Sequence, residues 1–210
     1  MGKYSPTEPG EEPAHAAAEW AAALIHGRRT ILPKRLDAPG PDGAQLHGIL
    51  AAAAAAPDHD QLLPWRFVLV PVAVRARLAH CFEAALLERD ATATEAQRAQ
   101  AREKAFRAPT LLLAIARLAG PGGAVPPAER LVSAGCAIQN MLLMATALGY
   151  GSALTSGKAL ASRALRELFA LAADEQALCF VSFGTPRERR PARPRPAVED
   201  FFGTLPEAAT

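Results

Sequence analysis

Three strand-like runs set between helical stretches predict a mixed α/β layered domain, a small sheet wrapped by helices. The runs are Trp65–Val70, Thr110–Ala116 and Ala177–Gly184, rich in aromatic, β-branched and leucine side chains and bounded by turn residues. Between them apolar residues recur at helical spacing, in the order α-α-β-α-α-β-α-α-β. A chain of 210 residues, 50% hydrophobic, suits one domain of roughly 100–200 residues. No internal repeat or linker divides it.

The first helix is Ala14–Gly27, where Trp20, Leu24 and Ile25 form an amphipathic stripe and Gly27 is the stop. The second starts at Asp42 as N-cap, carries Leu46, Ile49 and Leu50 into Ala51–Ala56, and ends at Pro57. After the first strand, Val72–Glu88 and Thr94–Phe106 read as two helices joined by a polar turn around Asp90–Thr92. The second strand follows Pro109, and a Gly/Pro loop at 120–127 follows the strand. Ala128–Gly149 is the longest helix, about 33 Å at 1.5 Å per residue. Ala134, Gly135, Ala137, Ala145 and Ala147 let another backbone approach it closely. A short helix at Ser162–Phe169 precedes the last strand. Residues 1–13 read as a disordered tail, 14–196 as a single domain and 197–210 as a C-terminal extension.

Composition narrows the function. Alanine makes up nearly a quarter of the chain, which favours helix. A net charge of +2 is too small an excess to indicate nucleic acid. No apolar run reaches the roughly 18 residues of a membrane span, and Met1–Glu19 lacks the basic start and apolar run of a signal peptide. A cytoplasmic protein is expected. Cys81, Cys136 and Cys179 are far apart without a C-x-x-C spacing, so neither a disulfide framework nor a zinc site is indicated. The five histidines show no ligand spacing, so no metal is expected. There is no nucleophile elbow, P-loop, H-E-x-x-H or G-x-G-x-x-G.

What remains is a set of polar loops at element ends. Arg28-Arg29-Thr30 offers two guanidiniums and a hydroxyl, by themselves more often a solvated helix C-terminus than an anion clamp. Pro57-Asp58-His59 through Pro64 is a proline-bracketed loop that holds His59 at the entrance to a strand. Thr155-Ser156-Gly157 follows the long helix. The arginines from Arg187 to Arg195, among prolines, read as a solvated charge run from which one guanidinium could reach a phosphate.

Taken together and in order, these pieces resemble the nitroreductase family of flavoproteins, in its compact bacterial subgroup. The matching pieces are Arg28-Arg29-Thr30, Ala56-Pro57-Asp58-His59 with Pro64-Trp65-Arg66-Phe67, and Phe106-Arg107-Ala108-Pro109. Ser133-Ala134-Gly135-Cys136-Ala137, Gly149-Tyr150-Gly151, Ser156-Gly157 and Gly184-Thr185-Pro186 complete the set, spanning roughly residues 20–190. The resemblance implies an α+β nitroreductase-like fold, a small mixed β-sheet wrapped by helices, with the long helix at a homodimer interface.

It also implies FMN as cofactor and NADH or NADPH as electron donor, with nitroaromatics, quinones or similar small molecules as acceptors in alternating half-reactions. A flavin carries the chemistry itself, which accounts for the missing nucleophile and metal. By resemblance, Arg28, Arg29 and Thr30 would hold the FMN phosphate and ribityl end, completed by Arg187 or Arg189. Arg35, or Lys34 beside it, would place positive charge near the flavin N1/O2 edge. His59 would reach FMN from the partner subunit, and Leu154, Thr155 and Ser156 would lie along the isoalloxazine. The dinucleotide would approach Met144, Ala145, Thr146, Ala147, Leu148 and Gly149.

The chain departs from the subgroup at Leu63, where relatives commonly have a polar amide, and at Ala55, where the subgroup has arginine. It also has Leu154-Thr155-Ser156 in place of Trp-Arg-Ser. The depleted pocket motivates an alternative of the same fold, a flavin-binding sensor or storage protein with little turnover.

Overall fold

The computed structural model describes residues 14–120, 123–188 and 194–206, so the expected tail at 1–13 lies outside the described residues. Six helices are described: α1 (Ala14–Gly27), α2 (Gly43–Ala53), α3 (Arg75–Leu87), α4 (Glu95–Glu103), α5 (Pro127–Ala147) and α6 (Arg163–Leu168). Their starts follow local chemistry. At α2 the Gln45 N–H donates to Asp42 Oδ1 at 2.8 Å while the Asp42 N–H donates to Gln45 Oε1 at 3.0 Å, a reciprocal cap. Thr94 and Gln97 repeat this arrangement at α4.

The five strands are β1 (Leu36–Asp37), β2 (Trp65–Leu69), β3 (Thr110–Arg117), β4 (Gly151–Thr155) and β5 (Glu175–Pro186). β5 is the hub of the sheet, with β3, β4 and β1 all paired to it, and β2 pairs the far edge of β3. Where a mixed sheet was expected, all four ladders are antiparallel. The one parallel pairing among the described residues is an isolated bridge between Thr30 and Ser152. β1 and β4 are additions to the three strands that the sequence announces. Both form because β5, at 12 residues, is long enough to leave backbone groups for short neighbours.

The pleat sends alternate residues of the central strands to opposite faces. Leu112, Ala114, Val181 and Phe183 pack with Ile49 of α2 and Ala137, Met141 and Ala145 of α5. Leu111, Leu113, Ile115 and Phe180 pack on the other face with Leu78 of α3, Leu165 of α6 and Ala105 just beyond α4. Helices therefore cover both faces, which is why β3 is a continuous apolar run. Gly184 explains two sequence motifs together. A Cβ there would lie 2.7 Å from Pro109 Cγ and 3.0 Å from the Asp37 carbonyl, so only glycine lets Gly184-Thr185-Pro186 cross Ala108-Pro109. Cys81 and Cys179 are buried free thiols, pushed up to about 11 by desolvation.

One end of the sheet is tied by charge. Arg66 on β2 reaches across β3 to Glu175 at the start of β5, donating from Nε and Nη2 at 2.7 and 2.8 Å. This fork holds the largely buried Glu175 carboxyl at about 2, against its ordinary 4.5. The folded carboxylate binds its proton less tightly than the unfolded one. Its stabilisation is therefore complete above about pH 4.5 and is lost as pH falls toward 2. Glu175→Gln is expected to cost about 2 kcal/mol at pH 7 and to flatten the decline of melting temperature between pH 5 and 3. Thermal melts of both proteins across that range check it, and parallel curves would refute the assignment.

α1 packs along α5, yet its apolar stripe faces outward: Trp20 is 76% exposed and Ile25 51%. No helix among the described residues is long and apolar enough to cross a membrane.

Candidate functional site

The end of α1 delivers the first group of candidate residues. The Arg28 N–H still donates to the Leu24 carbonyl at 3.1 Å, and three residues later the Ile31 N–H donates to the Ser152 carbonyl at 2.9 Å. Residues 28–30 are thereby pinned between the helix terminus and the start of β4. Arg28 Nη1 lies 3.5 Å from Thr30 Oγ1, and Arg29 Nη1 donates to the carbonyls of His26 and Arg28. A third guanidinium joins them from 167 residues away, as Arg195 Nη2 donates to the Arg28 carbonyl at 3.3 Å. Burial, then Arg195, then Arg29 push the Arg28 pKa below its ordinary value. None of the three has a carboxylate partner among the described residues. Three gathered cations without a counter-charge repel one another, and an anion bound among them relieves that repulsion.

Arg187, expected at this clamp, is engaged elsewhere. Its Nε and Nη2 donate to Asp37 at 3.0 and 2.8 Å, and its backbone N–H donates to the Arg35 carbonyl at 3.0 Å. The pair lowers the Asp37 pKa and fastens β1 to β5. The guanidinium beside Arg28 is Arg195, and Arg189 lies outside the described residues.

Two residues beyond Thr30 the chain enters the wall of a cavity of about 790 Å³. Leu32, Pro33 and Lys34 line one side, Thr155, Ser156 and Gly157 the next, and α3 and α4 the opposite side. Of the two cations expected at this place, Lys34 is in the lining and Arg35 is not. The floor is apolar, formed by Leu111 and Phe180 of the sheet with Phe82 of α3. Ser182, fully buried beside them, carries an Oγ without a hydrogen-bond partner. Among the described residues no carboxylate lines the cavity, whereas Arg89, Lys104, Arg107 and Lys158 join Lys34 there.

These four cations were not among the expected site residues. A signal for Lys104 was present: Gln97, Gln100 and Lys104 share one helical face at i, i+3 and i+7. Arg107 sits in a motif read only as a family marker. Arg89, just past the α3 cap, continues the face of Phe82 and Leu86 at i, i+4 and i+7, whereas Lys158 lies in a short turn where spacing carries no such signal.

Leu154 departs from expectation. It precedes Thr155 in β4, so the pleat sends the two side chains to opposite faces, and Leu154 is absent from the cavity lining. The segment 144–149 also lies outside that lining. Within it Ala145 is fully buried in the core, and the Thr146 hydroxyl donates to the Leu142 carbonyl at 2.8 Å. In this segment only Met144, Ala147, Leu148 and Gly149 are exposed to solvent.

His59 stands apart from both clusters. Its loop turns through left-handed backbone at Asp60 (φ 55°), Gln61 (φ 53°) and Leu63 (φ 45°). The loop is closed by the Leu63 N–H donating to Asp58 Oδ2 at 2.7 Å. Leu63 is 59% exposed, so the loop presents an apolar side chain to solvent there. His59 Nδ1 lies 2.8 Å from Glu129 Oε2, in the first turn of α5. That contact, then Asp60, raises the His59 pKa. The imidazolium is fully present below the ordinary 6.5 and is lost as pH rises through the raised value. Glu129→Gln is expected to lower the His59 midpoint, read by NMR titration of the ring protons. An unmoved midpoint would refute the pairing.

Residues 25–185 match the model of the Nitroreductase family. YdjA of Escherichia coli (strain K12), provisionally named an NAD(P)H nitroreductase, is 34% identical over 170 residues, covering 80% of this chain and 88% of YdjA. Among solved structures, a nitroreductase-like family protein from Bacillus cereus aligns with a TM-score of 0.74 at 19% identity, over 88% of this chain and 95% of its own. The FMN-dependent nitroreductase NfnB from Mycobacterium smegmatis, solved in complex with NADPH, gives 0.69 at 17% identity, over 90% and 99%. The likeness in structure covers 88–90% of this chain and shows the fold, and the family model over residues 25–185 with the 34% identity to YdjA places this chain in the nitroreductase family.

Proposed function

We propose that this chain is an FMN-dependent oxidoreductase that takes electrons from NADH or NADPH and passes them to a nitroaromatic, quinone or similar small acceptor in alternating half-reactions. The observation that carries this reading is the cluster of Arg28, Arg29 and Arg195, without a carboxylate partner among the described residues and two residues along the chain from Leu32, where the wall of a cavity with no carboxylate in its described lining begins.

The residues fit FMN. Its phosphate is a dianion suited to three guanidiniums and the Thr30 hydroxyl. From Thr30 to Lys34 the chain spans at most about 14 Å, a reach that suits a phosphate at one end and a ring system at the other. The apolar floor of Leu111, Phe180 and Phe82 suits a planar ring. When bound, the flavin stores the two electrons that no side chain here can hold. Lys34 places a positive charge at the cavity edge, Thr155 and Ser156 offer hydroxyls along it, and the apolar floor excludes water.

A homodimer is part of the proposal. Trp20 and Ile25 of α1, Val132 of α5, and Phe201, Phe202 and Leu205 of the C-terminal segment are large apolar side chains exposed on one chain, which a partner subunit would cover. In that assembly His59 acts on the partner's cofactor, and Met144, Ala147, Leu148 and Gly149 form the dinucleotide approach.

The purified protein is expected to be yellow, to bleach anaerobically with NADH or NADPH, and to recolour with a quinone. Its mass by light scattering is expected to be twice 22.1 kDa. A colourless chain that does not quench added FMN would overturn the reading. A yellow chain inert to both dinucleotides would instead be a flavin-binding sensor or store.

A further inference from the structure

The cavity wall opposite Lys34 carries chemistry that a flavin does not require. α3 presents Phe82 and Leu86, with Arg89 just beyond its end, at i, i+4 and i+7. The stripe runs from an aromatic floor, where Phe82 meets Phe180 edge-on at 5.5 Å between centroids, to an exposed guanidinium. The acid of α3 is committed elsewhere: Glu83 accepts from Arg98 and Arg102 at 2.6 Å each, and none of these three lines the cavity. Arg89, Lys104 and Lys158, which do line it, have no ion-pair partner among the described residues.

Gln97 is oriented to suit. Its Oε1 accepts the Thr94 N–H at 2.8 Å in the α4 cap, which leaves the Nε2 donors as the free end. Donors and cations thus surround an apolar floor. At about 790 Å³ the space lies high in the 300–1,000 Å³ range of small-molecule sites, enough for a ligand beyond a single ring system.

We propose that the acceptor bound here is an aromatic anion, a planar ring bearing a carboxylate or phosphate, with Arg89 and the Gln97 amide holding the anionic group. The inference rests on the reading of this cavity as the flavin site. Lys104 and Lys158 add the field that draws such an acceptor in. The anionic group takes no part in electron transfer. For a nitro acceptor, one NAD(P)H and one proton convert the nitro group to nitroso with release of water and NAD(P)+.

The test uses the FMN-loaded protein with matched pairs that differ in charge. Benzoate and benzamide are titrated by the change in flavin absorbance, while 4-nitrobenzoate, 4-nitrophenyl phosphate and 4-nitrobenzamide are compared as acceptors with NADH. Benzoate is expected to bind about 10-fold more tightly than benzamide at low salt, with the gap shrinking as salt rises. Arg89→Gln is expected to reduce that ratio at least about five-fold, and Arg89→Lys to restore part of it. The two nitro anions separate carboxylate from phosphate as the preferred group.

Equal affinity for benzoate and benzamide overturns the proposal. So does an Arg89→Gln protein that keeps the benzoate preference but is reduced more slowly by NADPH than by NADH, since the guanidinium would then serve the donor's phosphate. A protein that takes up no FMN fails the flavin reading itself, whereas one reduced normally without anion preference fails only this inference.

Discussion

Replacing Arg28 and Arg195 together with glutamine is expected to weaken FMN binding about 100-fold or more, with little change in the melting temperature of the flavin-free protein. Each guanidinium supplies charge-assisted hydrogen bonds worth about 1.5–3 kcal/mol to a bound anion, and every 1.4 kcal/mol is tenfold in affinity. Folding responds weakly because the cluster is repulsive. Arg28 is held below its ordinary pKa by burial, by Arg195 and by Arg29, so removing two of three like charges offsets the lost contact between Arg195 and the Arg28 carbonyl. FMN fluorescence titration measures the affinity and circular dichroism the melting temperature. A change in affinity of less than about threefold would place the phosphate elsewhere. The single variant Arg187→Gln separates the two C-terminal arginines: it is expected to lower stability through loss of the Asp37 fork and to leave FMN affinity within about threefold.

The second large effect is at Arg75, which is 2% exposed and has no carboxylate partner among the described residues. It donates to the carbonyls of Val70 at 2.8 Å, Ala105 at 2.7 Å, Ala108 at 3.2 Å and Pro109 at 3.3 Å. These carbonyls belong to the end of the β2 segment and to the stretch that carries Lys104 and Arg107 to the cavity. Desolvation lowers the Arg75 pKa, and the four acceptors offset that cost by taking the place of water. Arg75→Met fills the space but leaves several buried carbonyls without a donor, at about 3–5 kcal/mol. For a chain of this size that corresponds to a melting temperature lower by roughly 10 °C. Arg75→Lys is expected to recover only part of the loss, because an ammonium cannot fork to carbonyls on both sides. A drop below about 2 °C in the methionine variant would show that the stretch is held by packing alone.

Much of this protein is written in local pattern. The six helices follow from apolar periodicity and from residues such as Asp42, Thr94 and Ser162, whose side chains accept from backbone N–H groups near their own helix starts. The three main strands follow from their apolar runs, and the family follows from short motifs in a fixed order. β4 was hidden because Gly-Ser-Ala-Leu-Thr has little intrinsic preference for extended structure. It becomes a strand because residues 180–184 of β5 offer it a free edge. The same cause keeps Leu154 out of the cavity lining beside Thr155, since only a paired strand assigns neighbours to opposite faces.

From sequence alone came the fold class, the order of the six helices and three main strands, the double-arginine turn and the absence of metal-ligand spacing, all properties of residues a few positions apart. Tertiary structure decided which distant charges meet. It gave Arg187 to Asp37 and Arg195 to Arg28, set His59 against Glu129, brought Lys34 rather than Arg35 into the cavity, and turned Arg89, Lys104 and Lys158 toward it. The reason is reach. Helical and strand periodicity fix neighbours only within about four residues, whereas an ion pair depends on where the folded backbone carries two side chains whatever their separation along the chain.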